Sequence, residues 1–147
     1  APFTGIDDES LFERYLVEAN DQDWLIPLKQ LQESVTRAES ATQFAQRIGM
    51  NRGVSGYIIQ TVLAVLFCRH RWPRDYRRAM EEVIAMGGDT DTTAAILGGL
   101  MGATCGVESI PREWLQGVRE WPCSIRWMRK QLVPELCSIA TDPNDAR

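Results

Sequence analysis

Apolar side chains recur at three- and four-residue intervals along most of the chain, and strict two-residue alternation is almost absent. That pattern predicts helices. Leu11, Phe12, Tyr15, Leu16 and Ala19 form one stripe behind Asp7 or Asp8 as a cap, and Asn20-Asp21 ends it. A second helix starts near Asp23 and carries Trp24, Leu28, Leu31, Val35 and Ala38. Ser40 caps a short third helix with Phe44, Ala45 and Ile48. From Tyr57 to Cys68 the chain is apolar on nearly every side, as expected of a helix inside a bundle, and Ser55 is placed to cap it. Trp72-Pro73 breaks this helix, and Pro73 suits the first position of the next. There Tyr76, Ala79, Met80, Val83 and Ile84 face inward, while Arg77, Arg78, Glu81 and Glu82 face outward. Gly87-Gly88 stops it.

A helix of small residues follows. Ala94, Gly98 and Gly102 lie on one row, and Ala95, Gly99 and Ala103 on the adjacent one. Small residues four apart admit another backbone closely. Glycine costs about 1 kcal/mol per helical position relative to alanine, so its repeated use predicts tight packing. Pro111 starts a helix with Trp114, Leu115, Val118 and Trp121. Cys123 or Ser124 starts another with Ile125, Met128 and Leu132, ending near Pro134, and the polar tail from Thr141 to Asp145 is expected to fray. The expected fold is an all-α, orthogonal multi-helix bundle. A length of 147 residues suits one domain or a piece of a larger one.

Composition removes several alternatives. The net charge of −4 supplies no electrostatic reason to expect nucleic acid. Arg69-His70-Arg71, with Arg74, Arg77 and Arg78, reads as a cationic helix end and a solvated face. Four cysteines with no C-x-x-C spacing, and a single histidine, argue against zinc. They do not resemble a disulfide scaffold either, which points to a reduced cytoplasmic setting. Cys68 and Cys105 lie in apolar helical stretches and read as small core residues. The first residues lack a basic and an apolar signal region, and the run from Tyr57 to Cys68 is too short to span a bilayer. No membrane is expected. An opening without Met suggests a processed or cut chain.

Two segments carry candidate chemistry. Gly49 to Gly56 reads as a loop whose three glycines permit positive φ and close backbone approach. The second is Gly87-Gly88-Asp89-Thr90-Asp91-Thr92. Residues two apart lie within roughly 7 Å, so Asp89 and Asp91 repel unless something positive sits between them. Hard cations such as Mg²⁺ or Mn²⁺ prefer oxygen, and Thr92 adds a hydroxyl. The plain alternative is Asp91 as a helix cap and Asp89 as a solvated turn residue. The run from Asp89 to Thr93 also fits the D-x-D-x-T pattern of haloacid-dehalogenase-type phosphatases. That motif needs a buried parallel strand before it, whereas Ala79 to Met86 has a helical period and no βαβ alternation follows.

The stretch from Met86 to Ala103, with its complete Gly-Gly-Asp-Thr-Asp-Thr run, closely resembles the ADP-ribosylglycohydrolase family. That family includes dinitrogenase-reductase activating glycohydrolases and jellyfish crystallins. The glycine loop at Ser55-Gly56-Tyr57, the two helices that follow, and Ile110-Pro111 with Trp114 keep the family's order. The resemblance covers a core from Gly53 to Trp114. It implies an all-α fold, two Mg²⁺ or Mn²⁺ ions, and hydrolysis of N- or O-glycosidic bonds to ADP-ribose. Asp89, Asp91 and Thr92 would be metal ligands, with Asp91 bridging. Asp89 and Asp91 would thereby carry the catalysis. Gly53, Ser55, Gly56 and Tyr57 would line the ADP-ribose pocket. The partner would be an ADP-ribosylated protein or a small ADP-ribose compound. The family's amino-terminal Gly-Asp motif and Thr-Asp-Asp cluster are not found here. The whole chain, 1–147, therefore reads as the carboxy-terminal portion of one such domain, partnered by the missing amino-terminal part. The alternative is a non-catalytic, crystallin-like relative that binds ADP-ribose or metal.

Overall fold

A computed structural model describes residues 8–19 and 21–118, together with Trp127, Lys130 and Gln131. In chain order the helices are α1 (Asp8–Glu18), α2 (Gln22–Thr36), α3 (Ala41–Arg47), α4 (Ile58–Arg71), α5 (Tyr76–Ala85), α6 (Thr90–Cys105) and α7 (Arg112–Gly117). A 3₁₀ turn, Val107–Ser109, follows α6. Among the described residues there is no strand, and the fold is all-α. Two compact units divide at Ile110 and Pro111, so α1 to α6 belong to the first and α7 to the second.

The first unit is built around α4, whose Leu63, Ala64, Val65, Phe67 and Cys68 are buried. Helices α2, α3, α5 and α6 pack on it. Phe67 stacks on Phe44 of α3 at 4.3 Å between ring centroids, and Trp72 meets Phe67 edge-on. Each such side chain contributes about 1.5–3 kcal/mol by leaving water. Burial also pushes the Cys68 thiol up, leaving it a small core residue. Helix α6 lies across α4 and α5, burying Thr93, Leu97 and Met101.

Caps set the boundaries. Asp21 opens α2, accepting from the Asp23 N–H at 3.1 Å. At α3 the Ser40 hydroxyl accepts from the Gln43 N–H, and Gln43 Oε1 accepts from the Ser40 N–H at 2.8 Å. That is a reciprocal capping box.

Several sequence expectations need correction. Pro73 does not begin α5. Residues 73–75 form a turn, and Asp75 is the cap, accepting from the Arg78 N–H at 2.9 Å. Asp75 can accept that hydrogen bond and Trp72 cannot. Ser55 does not cap α4, whose N-cap is Tyr57 with no side-chain cap hydrogen bond. Ala38 lies beyond α2, exposed and at positive φ. On α5 the inward arc runs through Ala79, Glu82, Val83 and Met86, leaving Ile84 half-exposed. Glu82 is buried because its carboxylate accepts from the Ala41 N–H of α3 at 3.1 Å and pairs with Arg78. An ionised acceptor at a helix N-terminus offsets its own burial.

The two small-residue rows of α6 differ. A Cβ on Gly98 would lie 3.2 Å from the Tyr76 hydroxyl, so Gly98 packs tightly on α5, while Gly102 of the same row does not. Ala95, Ile96, Gly99, Leu100 and Ala103 are exposed, and nothing lies within 4 Å of a Cβ built on Gly99 or Gly102. In the second unit α7 half-buries Trp114 and Leu115 but ends before Val118, which is exposed. Trp121 and the helix expected from Cys123 or Ser124 onward lie outside the described residues, apart from helical Trp127, Lys130 and Gln131.

Candidate functional site

The Gly49–Gly56 loop and the Gly87–Asp89 turn are 34 residues apart between Val54 and Gly88, yet they are bonded as a one-residue parallel β-bridge. The Val54 N–H donates to the Gly87 carbonyl at 2.9 Å, and the Asp89 N–H donates to the Val54 carbonyl at 2.8 Å. Val54 is itself buried, an apolar pin holding the loop against the bundle. This clamp explains the glycines. Gly88 has φ +80°, and a Cβ there would lie 2.1 Å from the Val54 oxygen. Gly53 has φ +88°, and its Cβ would lie 2.4 Å from the Gly88 nitrogen. Both positions need a left-handed backbone and a bare Cα.

The clamp delivers Asp89 to the start of α6. Asp89 is the N-cap residue, but its carboxyl makes no cap hydrogen bond. Instead one of its carboxylate oxygens lies 3.6 Å from where a Gly56 Cβ would stand. Its backbone is held from both sides, since the Thr93 N–H and the Thr93 hydroxyl both reach the Asp89 carbonyl, at 3.2 and 2.9 Å. Asp91 sits in the first turn of α6. Its carboxyl lies against that of Asp89, and this neighbour, with the backbone N–H groups of Thr92 and Asp91 that it accepts from, holds it below the usual carboxylate range. Two carboxylates this close repel each other unless a positive charge stands beside them.

The expected metal ligands are therefore brought together at one helix start. Asp89 and Asp91 converge, and Thr92 is exposed on the same first turn. The plain alternative, with Asp91 as cap and Asp89 in solvent, assigns the positions differently from what is found. Among the described residues no cluster of three or more His, Cys, Asp or Glu could hold a metal. The donors present are hard oxygens, which fit Mg²⁺ or Mn²⁺ better than a thiophilic metal.

The expected ADP-ribose residues divide. Gly53 is used by the clamp itself. Ser55 is exposed, donates its hydroxyl to Gln60 Oε1 at 2.7 Å and accepts the Tyr57 N–H at 3.3 Å. Gly56 is exposed beside Asp89. Tyr57 is 57% exposed and so is not the core aromatic that a buried helix start would need. Sequence reasoning missed Val54 and Thr93. An apolar residue alone between Gly53 and Ser55-Gly56 was the available signal for Val54. Nothing local distinguished Thr93 from Thr90 or Thr92.

Comparison with known proteins gives a consistent result. The chain is 40% identical over 62 residues to the ADP-ribosyl-[dinitrogen reductase] glycohydrolase of Rhodospirillum rubrum, covering 42% of this chain and 20% of that protein. It is 40% identical over 68 residues to the putative ADP-ribosyl glycohydrolase L543 of Acanthamoeba polyphaga mimivirus, covering 46% and 19%. It is 31% identical over 91 residues to the ADP-ribosylhydrolase ARH3 of Bos taurus, covering 58% and 24%. The chain thus spans about a fifth to a quarter of the length of these relatives. No solved structure matches. The model of the ADP-ribosylglycohydrolase family matches residues 5–143, nearly the whole chain, and the chain belongs to that family.

Proposed function

We propose that this chain supplies part of the active site of a metal-dependent hydrolase that cleaves N- or O-glycosidic bonds to ADP-ribose. The observation that carries the proposal is the convergence of the Asp89 and Asp91 carboxyls at a helix start held by a backbone clamp. Asp89, Asp91 and Thr92 would hold two Mg²⁺ or Mn²⁺ ions, with Asp91 between them. Three protein oxygens leave coordination positions for water, for substrate and for side chains from the rest of the enzyme. Bound ions of this kind fix sugar hydroxyls and lower the pKa of a water.

The chain's own residues contribute positioning. The Val54–Gly88 bridge and the Thr93 hydroxyl fix Asp89 before substrate arrives, so little reorganisation is needed. Gly56 leaves space beside Asp89, and exposed Ser55 and Tyr57 flank that space, where the ribose and its phosphates would lie. The name of the Rhodospirillum relative makes an ADP-ribosylated protein its substrate. For this chain an ADP-ribosylated protein or a small ADP-ribose compound is inferred, in a reduced cytoplasmic setting. Among the described residues no helix is long and apolar enough to cross a membrane.

The deciding measurement is Mn²⁺ titration followed by the loss of the free-ion EPR signal. The parent should take up Mn²⁺ weakly, and Asp91→Ala should bind at least about tenfold more weakly, the factor set by roughly 1.4 kcal/mol of lost ligation. Equal binding by both would reduce the acidic pair to a solvated helix start and end the metal reading. Release of ADP-ribose by the purified chain alone would show that no further residues are needed.

A further inference from the structure

A second concave site lies among α1, α2 and α4, built from none of the residues discussed above for metal or ADP-ribose. Its volume is about 430 Å³, within the range of small-molecule sites. Leu28 and Leu66 line it with apolar surface, Tyr15 and Trp24 add aromatic rings, and Glu18 and Asp21 add carboxylates. No lysine or arginine lines it. Both acidic residues are exposed and make no ion pair among the described residues.

The helix ends around it are not balanced. Helix α1 ends at Glu18 without a basic residue in its last turn, so the negative end of its dipole is uncompensated. Helix α2 follows, and its positive end is already met by the Asp21 cap and by Asp23. Glu18 therefore stands at the negative end of α1 with no basic side chain lining the opening. Aromatic faces, carboxylates and apolar surface together match a cation whose charge is spread over an apolar body.

We propose that this pocket binds a methylated ammonium group, held against Tyr15 and Trp24 and facing Glu18 and Asp21. The site does not depend on the metal reading, since it shares no residue with it. A small inorganic cation would be a poor occupant, because the lining offers no oxygen cage to replace its hydration.

The test is ¹⁵N-resolved NMR titration of the chain with choline and, separately, with 3,3-dimethyl-1-butanol, its neutral isostere. Choline should perturb the Trp24 indole signal saturably, and the isostere should bind at least about tenfold more weakly. A short peptide carrying trimethyl-lysine, run beside its unmethylated form, shows whether the group can arrive on a side chain. Methyl-dependent binding of that peptide also supports the proposal. Glu18→Gln and Asp21→Asn should each weaken choline binding severalfold while leaving the fold intact, since asparagine caps a helix as well as aspartate. Trp24→Leu keeps an apolar wall but removes the π face, and should weaken choline binding about tenfold. Equal affinity for choline and its isostere, or unchanged binding in both acid variants, would overturn the proposal, leaving an ordinary apolar hollow.

Discussion

Replacing Gly88 with alanine tests how the site is assembled. Alanine at φ +80° costs about 1–2 kcal/mol, because the left-handed backbone brings Cβ against the following carbonyl. The new Cβ would also stand 2.1 Å from the Val54 oxygen and 2.5 Å from its nitrogen. Neither atom belongs to a flexible side chain, so the two segments must separate. Separation breaks the bonds from Val54 to Gly87 and from Asp89 to Val54. At about 0.5–1.5 kcal/mol each, these bring the total to roughly 2–5 kcal/mol. Gly87→Ala is the internal control. Its φ of +73° carries the same backbone penalty, but the nearest atom to its Cβ is the Gly53 Cα at 4.0 Å. It should cost only about 1–2 kcal/mol. Urea unfolding of parent and both variants measures the difference. Equal losses would mean that the bridge contributes nothing and that left-handed strain alone explains the glycine pair.

Two further outcomes rest on side chains with named partners. Glu82→Ala leaves the buried Ala41 N–H without its acceptor and should destabilise by about 1–3 kcal/mol in the same urea assay, whereas Glu82→Gln keeps an acceptor and should cost less. If glutamine and alanine proved equally damaging, the Glu82–Ala41 bond would not be what holds α5 to α3. Glu39 hydrogen-bonds Arg47, and that bond holds its carboxyl below the usual range. A folded-state pKa below the unfolded one gives stability at neutral pH that is lost as pH falls through the folded value. The stability gap between parent and Glu39→Gln should therefore shrink from about pH 7 to about pH 3, and a gap constant across that range would contradict the assignment.

The local pattern determined most of the helices. Repeats such as Phe44-Ala45-Ile48 or Ala79-Met80-Val83 encode a helix because the relevant neighbours are three or four residues away along the same chain. The Ser40 cap is legible for the same reason, as is the placement of Asp89, Asp91 and Thr92 around one helix start. What remained for tertiary structure involved partners distant in sequence. Glu82 read as a solvated face because its acceptor role depends on Ala41, 41 residues earlier. Of the three glycines inside α6, only contact with Tyr76 and Met80 singles out Gly98 as the one that packs. The Gly87-Gly88 pair looked like a helix stop and proved also to be the socket for Val54. Backbone hydrogen bonds between distant segments leave no periodic trace in side-chain type, so only the folded chain reveals that this loop aims Asp89.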